Sequence, residues 1–220
     1  MLDWAAVSRP HDDDGSLLEQ ATHDLLNPVS SMLGLAETIR ARGASLGDEI
    51  LKQFGESIAR QSIRLESGIR DLGRAMRLMR GDPVVEIHSV SLSDVVAGSA
   101  ADRVRVSVAP DAEVRADPLL LADVIRRLVD NALEFSTGEV VVSEGAGWIE
   151  VTDSGTGFAP DGLARAFDPL SGGSNAEGER SGGLGVGLYI CRRLVEAMGG
   201  TLTATSEPGK GSVFRISLPG

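Results

Sequence analysis

At 220 residues the chain can hold one large or two modest domains, each with its own core. With 42% hydrophobic residues, 24% charged residues and a net charge of −11, it has the composition of a soluble globular protein. Its sign argues against nucleic acid or an anionic membrane surface as the main partner. No apolar run approaches the roughly 20 residues that span a bilayer, so direct membrane insertion is not expected. Asp12-Asp13-Asp14 stands near the start in place of a basic-then-apolar signal sequence. A single cysteine, Cys191, allows neither an intramolecular disulfide nor a metal cluster. The expected setting is reduced and cytoplasmic.

Residues 1–15 read as an N-terminal tail. Ser16-Leu17-Leu18-Glu19 has capping-box spacing, which predicts a first helix from there to about Arg42, bent at Pro28. Leu18, Leu25, Met32 and Ile39 recur every seventh position, and Ala21, Val29 and Ala36 fill the second seam position. His23 then falls away from the seam, and Asn27 lies one turn further along the same face. Alone, that pattern also fits an ordinary solvated histidine. Gly43-Ala44-Ser45-Leu46-Gly47 is a turn, and Asp48 caps a second helix carrying Leu51, Phe54, Ile58, Leu65, Ile69, Leu72, Met76 and Met79. Gly81-Asp82-Pro83 ends it. Residues 16–82 thus form a helical hairpin whose apolar faces are too broad for two helices alone, and pairing with a second copy into a four-helix bundle is the expected solution.

From Pro83 the periodicity changes. Residues 84–87, 104–108, 139–142, 148–151, 201–205 and 212–216 read as short strands. Between them lie helices at Pro118–Phe135, started by Asp117 with proline at the first helical position, and at about Gly185–Met198. The expected fold class is α+β. An N-terminal hairpin in a dimeric bundle precedes a two-layer α/β sandwich over 83–220, with helices on one face of its sheet.

Three stretches of this second domain bear on chemistry. Asp130-Asn131-Ala132 ends the first helix, and the Asn131 amide oxygen is a neutral hard ligand suited to hydrated Mg²⁺; a helix-terminal cap is the plain alternative. Asp153-Ser154-Gly155-Thr156-Gly157 follows a strand. A carboxylate there accepts from the exocyclic amine of adenine and rejects the carbonyl of guanine, while Gly155 and Gly157 let backbone approach a ring closely. A tight strand-to-loop turn has the same appearance. Gly183-Leu184-Gly185-Val186-Gly187 leads into a helix, offering backbone N–H groups and a positive dipole end to phosphates. Residues 171–182 before it have the composition of a mobile lid.

Together, His23-Asp24-x-x-Asn27-Pro28, Asn131, Asp153-x-Gly155-x-Gly157 and Gly183-x-Gly185-x-Gly187 resemble the sensor histidine kinases of two-component signalling, over nearly the whole chain from Ser16. The resemblance implies a dimerisation and phosphotransfer hairpin followed by an ATP-binding domain of the Bergerat type. It implies that His23 takes the γ-phosphoryl group of ATP and passes it to an aspartate of a response regulator receiver domain. Asp24 would orient or deprotonate the ring, and Asn27 would position the water that dephosphorylates the regulator. Asn131 would hold Mg²⁺, Asp153 the adenine, and Gly183, Gly185 and Gly187 the phosphates. A histidine phosphotransfer relay that does not use ATP is the alternative function. The chain departs from the family pattern at Leu26, where a basic residue is frequent, and at Glu134, where Lys or Arg usually reaches the phosphates. It departs again at Arg127, where Asn, His or Glu is usual, and at Leu170, where the second aromatic of a Phe-x-x-Phe element is absent. Arg127 or Arg180 is expected to supply the cation missing at Glu134.

Overall fold

The computed structural model describes residues 13–99, 102–171 and 184–219. Two compact units divide the chain after Gly68. Residues 1–12 of the expected tail lie outside the described residues, as do Arg180, Gly183 and all but the first residue of the expected lid.

The first unit holds all of the hairpin but the last turns of its second helix. Helix α1 spans Asp13–Arg42, beginning before the predicted Ser16, with Pro28 in its interior. Proline has no N–H, so the carbonyl of Asp24 loses its intrahelical partner at that point. A 3₁₀ turn at Gly43–Ser45 follows, where Ser45 Oγ donates to the Arg42 carbonyl at 2.8 Å. Helix α2 spans Asp48–Arg80, with Asp48 and Glu49 in its first turn and Arg77 and Arg80 in its last, both matched to the helix dipole. Ser62 Oγ of α2 donates to Met32 Sδ of α1 at 3.0 Å.

The apolar face of α1 is split. Leu25, Pro28, Met32, Leu35 and Ile39 are half-buried, and of the described residues in this unit Ala21 alone is buried. Leu26, Val29 and Leu33 form a second stripe, 55%, 38% and 59% exposed, and Ala36 continues it. The seven-residue pattern predicts Val29 and Ala36 on the same seam as Leu25. They lie instead on the open stripe, because one neighbouring helix covers only part of so wide an apolar arc.

The second unit begins with the last turns of α2, where Ala75 and Leu78 are buried. Strand β1 (His88–Ser91) pairs antiparallel with β3 (Glu113–Ala116) as a separate two-stranded sheet, with helix α3 (Leu92–Ala97) following β1. The strand expected at 84–87 therefore forms at 88–91. Pro83 lacks a donor, and the Glu86 N–H is directed to Asp117 Oδ2 at 3.1 Å instead of to a ladder. The main sheet comprises β2 (Val104–Ser107), β4 (Val140–Gly145), β5 (Trp148–Asp153), β6 (Thr201–Glu207) and β7 (Gly211–Ser217), in the order β2-β4-β5-β7-β6. Only the β2–β4 pair is parallel. The six-residue helices α3 and α5 (Pro160–Arg165) are too short to give a periodic signal in the sequence.

Helix α4 runs Pro118–Phe135, as predicted. Asp117 Oδ1 accepts from the N–H groups of Leu119 and Leu120 at 3.0 and 3.1 Å, a side-chain N-cap. Leu121, Ile125, Leu128 and Ala132 form its buried stripe. They pack with Ile190, Leu194 and Val195 of α6 (Gly187–Ala197) over one face of the sheet. That face is set by register. Val142 stands opposite Val151, and Val151 opposite Phe214, while Ile149 stands opposite Ile216, and all are buried. Burying each such side chain contributes roughly 1.5–3 kcal/mol. Phe214, at the centre, meets Phe158 and Phe167 edge-on at 6.3 and 6.5 Å.

An ion-pair network fastens the end of α2 to α4 inside this unit. Arg127 forks onto Asp71 at 2.7 and 3.0 Å and reaches Asp123 at 3.1 Å, while Arg74 and Arg126 each contact Asp123 at 2.8 Å. Burial alone raises the Asp123 pKa, but the bonds from Arg126 and Arg127 and the charge of Arg74 outweigh it and hold the carboxyl below the ordinary aspartate value. Since the folded pKa is depressed, this stability is fully present above the unfolded value near 3.9. It is lost as pH falls through the folded value. Asp123→Asn is expected to cost roughly 1.5–3 kcal/mol at pH 7. Chemical denaturation at pH 7 and pH 3 should show the variant closer to wild type at pH 3; an equal deficit at both would contradict the assignment.

Candidate functional sites

The first site lies on α1. The His23 side chain is 72% exposed and that of Asp24 is 18% exposed. With about 100° between successive helical residues, His23 and Asn27 point away from both apolar stripes. Asn27 Nδ2 lies 3.3 Å from His23 Nδ1, and Asp24 Oδ1 lies 3.5 Å from the same nitrogen. The structure thus brings the three predicted residues together. The Asp24 contact is long for a hydrogen bond, as expected for adjacent helix positions. Both neighbours address Nδ1. When Nδ1 donates to Asp24, Nε2 holds the lone pair and faces solvent; when Nδ1 accepts from Asn27, the proton moves to Nε2. The pair of neighbours can therefore select the tautomer.

The second site lies at the end of the sheet. Asp153 is the last residue of β5 and continues the alternation of Ile149 and Val151, so its side chain is on the covered face and the residue is buried. Its Oδ1 accepts from the Gly155 N–H at 2.7 Å. Burial pushes its pKa up, against hydrogen bonds from the Gly155 backbone and from the backbone and side chain of Ser212. Ser212 stands directly opposite on β7, and Ser206 opposite Ser212 on β6, with 3.1 Å between the two hydroxyls. Ser206 Oγ also donates to the Gly211 carbonyl at 2.8 Å and accepts from the Phe158 N–H at 2.9 Å. A row of polar groups thus ends an otherwise apolar face.

Backbone crowding explains the glycines around it. A Cβ on Gly155 would stand 2.3 Å from the Phe135 carbonyl oxygen, and Gly157, at φ +67°, closes on the Glu207 carbonyl. Gly211, at φ +94°, lies against the Asp153 carbonyl. Neither Gly211 nor Ser212 is among the site residues that the sequence suggests, where Ser212 is only the first residue of the strand at 212–216. A glycine pair followed by a hydroxyl at the start of the last strand was the available signal.

Asn131 sits half-buried on α4, one turn before Phe135, and Thr156 N donates to the Phe135 carbonyl at 3.3 Å, tying that helix end to the Asp153 loop. At the start of α6, Leu184 and Val186 are buried anchors, Gly185 has φ +63°, and among the described residues no side chain caps the helix N-terminus. A Cβ on Gly187 would meet no other described residue within 4 Å. Gly183 lies outside the described residues. Buried Thr156 Oγ1 and Ser171 Oγ lack hydrogen-bond partners among the described residues, a demand that a bound polar ligand could meet. Among the described residues no group of three or more His, Cys, Asp or Glu could hold a metal. A divalent ion at Asn131 would need phosphate oxygens and water to complete its shell, which is how Mg²⁺ is ordinarily held. The residues present fit a nucleotide with its ion.

The expectation that Arg127 replaces the cation missing at Glu134 is overturned. The Arg127 side chain is 12% exposed, and its donors are committed to Asp71 and Asp123. Glu134 is exposed.

Two family models match the chain. The His Kinase A (phospho-acceptor) domain matches residues 14–78, and the histidine kinase-, DNA gyrase B- and HSP90-like ATPase matches residues 116–220. Sensor-like histidine kinase SenX3 of Mycobacterium tuberculosis is 31% identical over 90% of this chain and 52% of its own length. Sensor histidine kinase ZraS of Escherichia coli is 32% identical over 93% of this chain and 45% of its own. The chain thus spans about half the length of such curated relatives. Among solved structures, histidine kinase AdeS of Acinetobacter baumannii shares the fold, with a TM-score of 0.68 at 21% identity over 89% of this chain and 96% of its own. Full-length ShkA, solved in complex with AMPPNP, gives a TM-score of 0.62 at 25% identity over 93% of this chain and 45% of its own. No helix among the described residues is long and apolar enough to cross a membrane. With a phospho-acceptor hairpin and a histidine kinase-type ATPase domain in this order, the chain belongs to the sensor histidine kinase family.

Proposed function

We propose that this chain is an ATP-dependent histidine kinase core that phosphorylates His23 and passes the phosphoryl group to an aspartate of a response regulator. The observation that carries the reading is the buried Asp153 carboxylate, held by Gly155 and Ser212 at the end of a sheet in a chain that also presents a 72% exposed His23. Asp153 accepts the adenine amine of ATP, and the N–H groups at the start of α6 receive the phosphates. Asn131 is the ligand for Mg²⁺, which when bound neutralises phosphate charge. AMPPNP in the ShkA complex supports nucleotide binding by the same fold.

At His23 the Nδ1–H tautomer, held by Asp24, presents the Nε2 lone pair. A bond forms from Nε2 to the γ-phosphorus as the bond from that phosphorus to the bridging oxygen breaks, and ADP leaves with the electron pair. The imidazole carries the resulting positive charge, which Asp24 offsets and then relieves by accepting the Nδ1 proton. Asn27, one turn on, is placed to orient the water that removes phosphate from the regulator, a phosphatase role of the same face. The setting is cytoplasmic. The test is incubation with γ-labelled ATP and Mg²⁺. Acid-labile label is expected, absent from His23→Ala and Asp153→Ala; no label and no nucleotide binding would favour an ATP-independent relay through His23.

The open stripe of Leu26, Val29 and Leu33 is the face on which two hairpins pair, giving a homodimer and a four-helix bundle. Leu26→Glu with Leu33→Glu is expected to convert a dimer into a monomer by light scattering, whereas a wild-type monomer would overturn the pairing.

A further inference from the structure

The strained backbone of Arg103 has a side chain that reaches the nucleotide site indirectly. Arg103 has φ +74°, in the left-handed region that a residue with a Cβ rarely occupies. Its backbone is held there, since its carbonyl accepts from the Val140 N–H at 2.8 Å where the parallel β2–β4 pair begins. From that position the guanidinium turns onto the C-terminal end of α4. Nη1 donates to the Ser136 carbonyl at 2.7 Å and the Gly138 carbonyl at 3.3 Å, and Nη2 to the Leu133 carbonyl at 3.4 Å. Terminal carbonyls of a helix have no partner of their own, and a cation at the negative end of the dipole is favoured.

These carbonyls belong to the backbone on which the Asp153 loop rests. The Phe135 carbonyl accepts from the Thr156 N–H, and a Cβ on Gly155 would stand 2.3 Å from that carbonyl oxygen. A Cβ on Gly138 would stand 2.4 Å from Ser154 Oγ, so residues 136–138 sit directly against the residue after Asp153. One rigid fork thus spans the end of the helix bearing Asn131 and the loop packed on Asp153-Ser154-Gly155. Lysine, a point charge, could not bridge three carbonyls this way.

We propose that Arg103 is a positioning residue for nucleotide recognition, fixing the end of α4 and residues 136–138 as the support that aims the Asp153 carboxylate at adenine. The inference rests on the proposed role of Asp153. A backbone outlier whose carbonyl is held by the Val140 N–H and whose side chain makes three hydrogen bonds beside a binding loop is where strain accompanies function.

The test uses the full chain with Arg103→Met, which removes the fork, Arg103→Gly, which also relieves the φ strain, and Arg103→Lys. Arg105→Met, which removes an exposed ion pair to Glu139 on the neighbouring strand position, is the control. ATP and GTP affinities and autophosphorylation at saturating ATP are measured beside thermal melting. Arg103→Met and Arg103→Gly are expected to weaken ATP about tenfold and to narrow the ATP-to-GTP preference, with labelling at saturating ATP near wild type. Arg103→Lys should be intermediate and Arg105→Met unchanged. If Arg103→Met does not fold, Arg103→Gly and Arg103→Lys decide. An unchanged ATP-to-GTP preference in the folded variants, or a loss of Tm without a change in preference, overturns the inference. If wild type does not prefer ATP, or Asp153→Asn leaves binding intact, it is the reading of Asp153 that fails.

Discussion

His23→Gln is expected to abolish acid-labile labelling of the chain by γ-labelled ATP while leaving ATP affinity within twofold of wild type. Glutamine offers an amide nitrogen with no available lone pair, so the nucleophile is lost outright. The fold has little reason to respond, because the side chain is 72% exposed on the face of α1 turned from both apolar stripes. Substitutions at such positions ordinarily change stability by less than about 0.5 kcal/mol. The residues proposed to bind nucleotide all lie in the other unit. Label that survives in His23→Gln would mean that another side chain is the acceptor.

Asp24 offers a graded version of the same experiment. Asp24→Asn keeps a hydrogen-bond acceptor near Nδ1 but not the negative charge that offsets the imidazolium. Losing a positioned general base costs on the order of 10²–10⁴ in rate; with a contact of 3.5 Å, the low end is the expectation. Such a fall with unchanged ATP affinity would separate Asp24 from the nucleotide site, and a rate equal to wild type would remove it from the mechanism.

Local periodicity makes the shared face of His23 and Asn27 legible in the sequence, while their roles come from the resemblance that the later motifs carry. His23 and Asn27 are one helical turn apart, and a helix of 30 residues fixes their shared face whatever packs around it. The start of helix α4 was readable because Asp117-Pro118 is a cap with its own chemistry. What could not be read depends on partners distant in sequence. Ser212 matters because β5 and β7 pair in a register that sets it opposite Asp153, and no local pattern encodes that register. Arg127 read as a stray cation near Asn131. Its partner Asp71 lies 56 residues earlier, on a helix assigned to the other domain, so its commitment to structure was invisible. The rotation of the α1 stripes was hidden for a related reason, since a wide apolar arc does not say which part of it a single neighbour covers.

Asp153→Asn is expected to weaken ATP binding by roughly 10- to 100-fold, the loss of one charge-assisted hydrogen bond worth about 1.5–3 kcal/mol, and to narrow discrimination against GTP. The carboxylate can only accept, which suits the adenine amine and rejects the guanine carbonyl; the amide presents donors as well, so the rejection weakens. The same change should not harm the empty fold. Burial pushes the Asp153 pKa above its ordinary value, the opposite direction to Asp123. A raised folded pKa means that the folded protein holds this proton more tightly than the unfolded chain does. Stability is therefore lost as pH rises from the unfolded value through the folded one, and at pH 7 the ionised carboxylate is a burden that neutral asparagine removes. The variant should melt at or above the wild-type Tm in the absence of nucleotide and gain less than wild type when ATP is added. Melting curves at pH 7 with and without ATP decide. A variant that melts well below wild type without ligand would make Asp153 a structural residue, held for the sake of Gly155 and Ser212. A variant that keeps both its Tm and its full response to ATP would move adenine recognition away from the end of β5. The expected pattern, a tolerated or improved fold with impaired binding, marks a carboxylate kept in a buried position at a cost to stability because of what it recognises there.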